Sequence, residues 1–123
     1  FDMERNVFEK CLSLRDFKAP SLKIINVGTF RGCKSLETVF APRVREIGYD
    51  AFYNCESLET VYAPKAKYIR CTFSHCSNLR EITISRKTEI GKDAIPENTD
   101  VIFIEDIIAK KTQPIVKNDG YTF

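Results

Sequence analysis

Apolar residues recur along this chain with a period of about 22 residues. The segment Cys33–Pro42 reads Cys-Lys-Ser-Leu-Glu-Thr-Val-Phe-Ala-Pro, and Cys55–Pro64 repeats it with two changes. Looser copies occupy residues 11–20 and 76–85. Within each copy the Val and Ala positions alternate with polar or aromatic ones, as in a strand that buries one face. The pattern predicts adjacent parallel strands around Leu14–Ala19, Leu36–Ala41, Leu58–Ala63 and Leu79–Ile84.

The second half of each unit repeats in step with the first. Its copies are Ile25–Cys33 and Ile47–Cys55, a version one residue shorter at Ile69–Cys76, and partial copies at Met3–Cys11 and Ile90–Ile95. Ala51, Phe52 and Cys55 have the spacing of one inward-facing turn of α- or 3₁₀-helix. A single unit cannot bury its own apolar face, so stacked units must share a core. We therefore predict a stack of core rings made by Phe8, Phe30, Phe52 and Phe73.

The repeated motif resembles a known family. Leu-x-x-Val-x-Ala-Pro followed by Ile-Gly-x-x-Ala-Phe-x-x-Cys is similar to the BspA-like class of leucine-rich repeats, over roughly Met3 to Ile104. The resemblance implies an α/β repeat solenoid, a right-handed superhelix with a parallel β-sheet on the concave face and short helical or 3₁₀ turns on the convex face. It also implies a secreted or cell-surface adhesion protein of host-associated microbes, with no shared catalytic residues.

The ends of the chain differ from its middle. We predict that residues 1–104 form the solenoid, with about 4.5 repeats of 22 residues, and that residues 105–123 form a C-terminal cap or the start of a linker. Val101–Ile104 is a strong strand signal because its residues are branched or aromatic. Asn118–Gly120 is typical of a turn. Because the chain begins with Phe1, we expect a mature or excised segment.

Composition and charge narrow the classes of partner. The chain has 19 basic and 17 acidic residues, and the near balance predicts that nucleic acid is not the partner, because phosphate binding needs concentrated positive charge. No apolar stretch approaches the roughly 18 residues that a membrane span needs, which predicts no membrane insertion. A hydrophobic fraction of 43% is sufficient for a buried core.

Four of the five cysteines form one column of the repeat: Cys11, Cys33, Cys55 and Cys76. Stacked neighbours would lie about 5 Å apart at Cα, within the disulfide range, but parallel neighbours direct their Cβ atoms the same way, which opposes a bridge. The favoured interpretation is that the column consists of reduced, buried thiols. Cys71 lies in the shortened turn and is the thiol most expected to be exposed.

No catalytic, cofactor or metal site is predicted. His75 lies between Cys71 and Cys76, which leaves a partial metal site as an alternative, but the favoured interpretation is a solvated turn residue at the position of Gly32 and Asn54. Repeated charged residues are better explained as solvated strand-edge positions than as hydrolase carboxylates. These are Arg15, Glu37, Glu59 and Arg80.

The outward positions of the strands are the candidate binding face. One column reads Asp16, Thr38, Thr60 and Glu81, and its neighbour reads Lys18, Phe40, Tyr62 and Thr83. The period continues these columns to Phe103 and Glu105 respectively. Phe40 and Tyr62 would stand about 5 Å apart, close enough for ring contact. Aromatic residues flanked by polar ones are typical of binding hot spots, although ring stacking between strands could equally serve to stiffen the sheet.

The sequence therefore favours a non-enzymatic protein-binding or adhesion module that acts through its concave strand face. Its expected partner is a protein that the sequence does not identify, and a host protein is one option. The alternative is a structural spacer or display stalk for other domains. The expected location is extracellular or at the cell surface, and that expectation comes from the family resemblance alone.

Overall fold

The computed structural model describes residues 6–112, which form nine strands and one helix. The elements are β1 (Asp16–Lys18), β2 (Ile24–Ile25), β3 (Thr38–Phe40), β4 (Glu46–Ile47), β5 (Thr60–Tyr62), β6 (Tyr68–Ile69), β7 (Glu81–Ile84), β8 (Glu89–Ile90), β9 (Asp100–Phe103) and α1 (Ile104–Thr112). The start of the partial copy at Met3 and the turn predicted at Asn118–Gly120 lie outside the described residues.

The odd-numbered strands form one parallel five-stranded sheet, called here the main sheet, in the order β1-β3-β5-β7-β9. Equivalent residues of successive units are direct partners, as at Val39 and Val61. The four strands predicted from the Leu-x-x-Val-x-Ala spacing are confirmed, with their order and parallel direction. The chain is thus a stacked solenoid of about four turns.

Two further sets of hydrogen bonds tie the turns of the solenoid together. The short strands pair as β2 with β4 and β6 with β8, both parallel. The outer turns also bond directly: the amide of Phe30 donates to the carbonyl of Ala51 at 2.8 Å, and that of Phe52 donates to Thr72 at 3.1 Å. Backbone hydrogen bonds outside the main sheet therefore also join successive units, which fixes their phase.

The predicted ring column is confirmed. Phe8, Phe30, Phe52 and Phe73 stack with centroid separations of 5.4, 5.2 and 5.5 Å and interplanar angles of 5–9°. Phe30, Phe52 and Phe73 are buried, and the edge of Phe17 meets Phe30 at 4.7 Å. This parallel stack runs along the solenoid because every unit presents the same ring at the same phase.

The convex turns are single hydrogen-bonded turns, and no continuous helix precedes α1 in the described residues. Their bonds span three residues, as in a 3₁₀ turn: the amide of Cys55 donates to the carbonyl of Phe52 at 3.2 Å. Helix cannot continue because left-handed residues interrupt it, such as Asp50 and Asn54 with φ of 55° and 61°.

The last strand has a different register from the one expected. The period places Phe103 in the column of Glu81 and Glu105 in that of Thr83, and this is wrong: Asp100 pairs with Glu81, and Ile102 pairs with Thr83. The reason is a shortened unit, because Glu81 and Asp100 are 19 residues apart, whereas Thr60 and Glu81 are 21 apart.

Helix α1 follows β9 directly and is anchored to the turn after β7. Glu105 accepts hydrogen bonds from the Ser85 hydroxyl at 2.5 Å and the Arg86 amide at 3.0 Å. Arg86 also forms a 2.8 Å ion pair with Asp106. The helix lies in the segment predicted as cap or linker, and the domain boundary at residue 104 stays a prediction.

Candidate functional site

Two stacked aromatic rings stand on the outer face of the main sheet. Phe40 and Tyr62 are direct partners on β3 and β5, with centroids 5.2 Å apart and ring planes at 12°. Phe40 is 42% exposed, and Tyr62 is half-buried. Their outward direction follows from the alternation of the strand, because Val39 and Val61 between the polar positions are buried in the core.

Polar side chains border these rings on the side of β1. The Thr38 hydroxyl donates a 2.6 Å hydrogen bond to the Asp16 carboxylate on the neighbouring strand. Together with Lys18 and Thr60, they and the rings line a shallow depression of about 530 Å³. The structure therefore brings together six of the eight predicted face residues: Asp16, Lys18, Thr38, Phe40, Thr60 and Tyr62.

The other two predicted face residues differ from the expectation. Glu81 is half-buried, and Thr83, which was expected to be free of packing, is 8% exposed. Thr83 lies between Tyr62 on β5 and Ile102 on β9, whose larger side chains flank the short threonine on both sides. The sequence missed this because it assigned the wrong residue of β9 to the neighbouring position.

A second depression, of about 730 Å³, lies between Tyr62 and helix α1. The helix contributes Ile107 and Ile108 to its lining, and Ile108 is 54% exposed. The opposite wall is formed by the turns that follow β3 and β5: Pro42, Arg43, Pro64 and Lys65. Because Tyr62 lines both depressions, the aromatic pair and the α1 groove form one continuous surface.

Sequence reasoning did not find this groove. The apolar pair Ile107 and Ile108 was a usable signal, since two adjacent isoleucines in a polar segment indicate an element that packs against something. What the sequence does not specify is where the segment lies, because α1 is placed by the hydrogen bonds of Glu105 and Asp106 rather than by the repeat.

The column cysteines are packing residues with a defined hydrogen bond. The thiol of Cys33 donates to the carbonyl of Phe8 at 2.9 Å, Cys55 to Phe30 at 3.1 Å, and Cys76 to Phe52 at 3.0 Å. Burial raises the pKa of Cys33 to about 11 and that of Cys76 to about 12, and it raises that of Cys55 as well. All five cysteines are free, and Cys71 is exposed as predicted.

His75 occupies a left-handed turn position, with φ of 63°. The equivalent residues Lys10, Gly32 and Asn54 are also left-handed, so the repeat requires this conformation immediately before each column cysteine. The ring of His75 is exposed and meets Tyr53 edge-on at 5.3 Å. Within residues 6–112, no group of three His, Cys, Asp or Glu residues is placed to hold a metal ion, so the partial metal site gains no support.

The repeated charges at the amino ends of the main-sheet strands form exposed ion pairs between units. Arg15 lies 3.9 Å from Glu37, and Arg80 lies 3.2 Å from Glu59. The two arginines are largely exposed and the two glutamates are half-buried, so all four reach solvent, in agreement with their interpretation as solvated strand-edge residues. Across the part of the chain that the structure describes, no helix is long and apolar enough to cross a membrane.

Comparison with known proteins decides the family. The family model described as BspA type leucine rich repeat region matches residues 2–117 in six copies. The chain belongs to this family. No curated protein and no solved structure matches it. Membership indicates a protein-interaction or structural repeat module, and leucine-rich repeat domains of this kind are generally non-enzymatic.

Proposed function

We propose that this BspA-type repeat domain is a non-enzymatic protein-binding module that acts in adhesion through the outer face of its main sheet. The observation that carries the proposal is the stacked pair Phe40 and Tyr62, which stays accessible on a face whose partner rows are polar. Exposed aromatic residues with a polar border are enriched in the energetic centres of protein interfaces. The α1 groove extends this surface with the isoleucines of the helix.

The second candidate function is a structural spacer. It is favoured by the same ring contact, because stacking across adjacent strands stabilises the sheet whether or not a partner binds. The 2.6 Å hydrogen bond between Thr38 and Asp16 likewise joins two neighbouring units. The two functions predict different effects of removing the rings: a binding module should lose affinity for its partner, and a spacer should lose stability.

The experiment uses photo-crosslinking to find a partner and affinity to test the face. A benzophenone amino acid at Thr38 should capture a partner that the same group at Tyr49, an exposed residue of the convex turns, does not. The purified partner is then titrated against the wild-type domain, Phe40→Ser/Tyr62→Ser, and the matched control Tyr49→Ser/Tyr68→Ser, which removes two exposed rings elsewhere.

We expect the first double variant to weaken binding by about 2 kcal/mol, or roughly thirtyfold, while the control binds normally. Both variants should unfold at similar denaturant concentrations. Unchanged affinity in a folded Phe40→Ser/Tyr62→Ser variant would contradict the proposed face. Loss of folding in that variant alone, together with no capture at Thr38, would support the spacer.

The extracellular or cell-surface location is part of this proposal and rests on the family resemblance. An antibody raised against the domain should label intact cells of the producing organism. Labelling that requires permeabilised cells would contradict it.

A further inference from the structure

Basic residues collect on one lateral edge of the solenoid, in the turns that follow the main-sheet strands. Each of these turns has one inward residue, such as Val44 or Ala66, flanked by exposed positions. Lys or Arg occupies six of the eight flanking positions, and Ser21 and Glu89 occupy the other two. We define the basic strip as the exposed residues Lys23, Arg43, Arg45, Lys65, Lys67 and Lys87.

The backbone fixes the spacing of the strip. The amide of Arg45 donates to the carbonyl of Lys23 at 2.8 Å, and the amide of Lys67 donates to the carbonyl of Arg45 at 2.8 Å. These three residues therefore form a straight row with one cation per turn, about 4.8 Å apart. Glu89, whose amide donates to the carbonyl of Lys67 at 2.9 Å, ends the row in the next turn. Like charges that face each other on neighbouring strands destabilise a sheet, so the row lowers the stability of the fold.

The strip differs from the other charged surfaces in how its charges are balanced. Elsewhere the arginines of one unit pair with acids of the next, as Arg15 with Glu37 and Arg31 with Asp50. No residue of the basic strip forms such an ion pair with an acidic side chain in residues 6–112. The acids nearest to it along the fold are Glu46 on β4, Glu89 on β8, and Glu105 and Asp106 on α1, of which Asp106 is paired with Arg86.

The surface between the charges is concave. Arg45, Lys65, Lys67 and Lys87 border a depression of about 570 Å³. The turn residues Pro64, Ala66 and Ser85 and the strand residues Tyr68 and Glu89 complete its lining. Unpaired cations around a depression concentrate the positive field there, which attracts and orients an anionic ligand.

We propose that the basic strip binds a linear anionic polysaccharide at a site centred on the row Lys23, Arg45 and Lys67, which borders the proposed protein-binding surface at Arg43 and Lys65. A straight row of evenly spaced cations complements a polymer that carries one anionic group on each repeating sugar. Nucleic acid fits less well, because single strands bind through aromatic rings on which their bases stack. Two aromatic residues lie beside the strip, and both rings already have a partner. The guanidinium of Arg70 covers Tyr68 at 4.6 Å from the centroid, and Tyr62 stacks on Phe40.

The test compares two variants with the same loss of charge. Arg45→Ser/Lys67→Ser removes two members of the row, and the control Lys34→Ser/Lys92→Ser removes two exposed lysines from other turns. Binding to heparin, to polygalacturonate, which carries one carboxylate on every sugar, to neutral dextran and to a single-stranded oligothymidylate is measured by titration at about 0.15 M NaCl and at lower salt. Thermal unfolding of each variant checks that the fold is intact.

We expect the wild-type domain to bind at least one of the two anionic polysaccharides, and not dextran. Arg45→Ser/Lys67→Ser should weaken that binding at least about tenfold and reduce its salt dependence, whereas the control should change it less than about threefold, because only the row lies in contact with the polymer. An equal loss of affinity in both variants would show that binding depends only on the net charge, and it would overturn the proposed site. No polysaccharide binding, or tighter binding of the oligonucleotide than of both polysaccharides, would overturn the proposed ligand.

Discussion

At the scale of single residues, the shortened turn before Phe73 shows what each position of the repeat does. In the regular units a left-handed residue stands two places before the core ring, as Gly28 does before Phe30 with φ of 64°. The short unit lacks this residue, since Cys71 in that place has no positive φ. Thr72 next to it is buried, and its hydroxyl has no hydrogen-bond partner in the described residues.

We predict that Thr72→Ala leaves the stability unchanged or raises it by up to about 1 kcal/mol, because it removes a buried hydroxyl without a partner. The equivalent position in another unit is already Ala51. Thr29→Ala is the matched control: its hydroxyl donates to the Asn26 carbonyl at 2.7 Å, and its loss should cost about 1 kcal/mol. Urea unfolding measures both, and equal losses would show that Thr72 has a partner.

The column cysteines yield a prediction about alkaline stability. Burial raises the pKa of Cys33 from 9.0 to about 11 and that of Cys76 from 9.0 to about 12. A raised pKa in the folded state means that their contribution is complete below pH 9.0 and is lost as the pH rises through about 11 to 12. The midpoint of urea unfolding should therefore fall across this range, and fall less in Cys76→Ala.

The same thiols can be counted directly. Because all five cysteines are free and the parallel direction of column neighbours opposes a bridge, denatured and unoxidised protein should release all five thiols to a titrating reagent. In the folded protein at neutral pH, Cys71 should react first because it is exposed. A denatured count of three or fewer would mean that bridges form within the column.

At the scale of elements, the sequence predicts whatever the repeat period controls. The strands β1, β3, β5 and β7 follow from the alternation of buried and outward residues. The pairs β2–β4 and β6–β8 were not predicted, because strands of two residues are too short to show alternation. The period also gave the wrong register for β9. The unit before this strand has only 19 residues and has lost the repeated motif, so the regular spacing does not apply to it.

Helix α1 shows a different kind of limit. Glu105 and Asp106 in its first turn and Lys110 and Lys111 in its last suit the helix dipole, so the helix itself had a local signal. The contacts of α1 had no local signal in the sequence, because they join residues about 20 positions apart. The aromatic pair of the candidate site could be predicted from the repeat, whereas the α1 groove depends on these contacts.

We predict that acid releases α1. The hydrogen bond from Ser85 and that from the Arg86 amide lower the pKa of Glu105 from its ordinary value of 4.5. A lowered pKa in the docked state means that the contribution is complete above pH 4.5 and is lost as the pH falls through the lowered value. Amide exchange in residues 104–112, corrected for its intrinsic rate, should rise in acid relative to the main sheet.

Glu105→Gln should weaken the protection of α1 already at neutral pH and make it nearly independent of pH in this range. The matched control Glu97→Gln changes another exposed carboxyl and should keep the wild-type profile. If protection of α1 in the wild type does not change with acid, the carboxylate of Glu105 does not hold the helix.

At the scale of the whole molecule, the repeat places many of the charged residues at recurring positions of the unit, as it does the core residues. The net charge is only +2, and from composition alone this near balance predicted that nucleic acid is not the partner. The structure separates many of these charges: the ion pairs Arg15–Glu37 and Arg80–Glu59 lie at the amino ends of the main-sheet strands, and the basic strip lies at their carboxyl ends. Composition alone cannot reveal this separation of charges, because it contains no information on where each residue lies within the repeat unit.

The separation predicts opposite salt effects for two variants with the same change in net charge. At about 10 mM salt, where the screening length is about 30 Å, Arg45→Ser/Lys67→Ser should stabilise the fold by relieving repulsion within the row. Arg15→Ser/Arg80→Ser should instead destabilise it, because it breaks the pairs with Glu37 and Glu59. Each effect should stay below about 1 kcal/mol, as is usual for exposed charges, and both should shrink at about 0.15 M salt. Thermal unfolding across a salt series measures the differences. If both variants shift the midpoint in the same direction at low salt, the stability follows the net charge of the molecule, and the strip has no repulsion of its own.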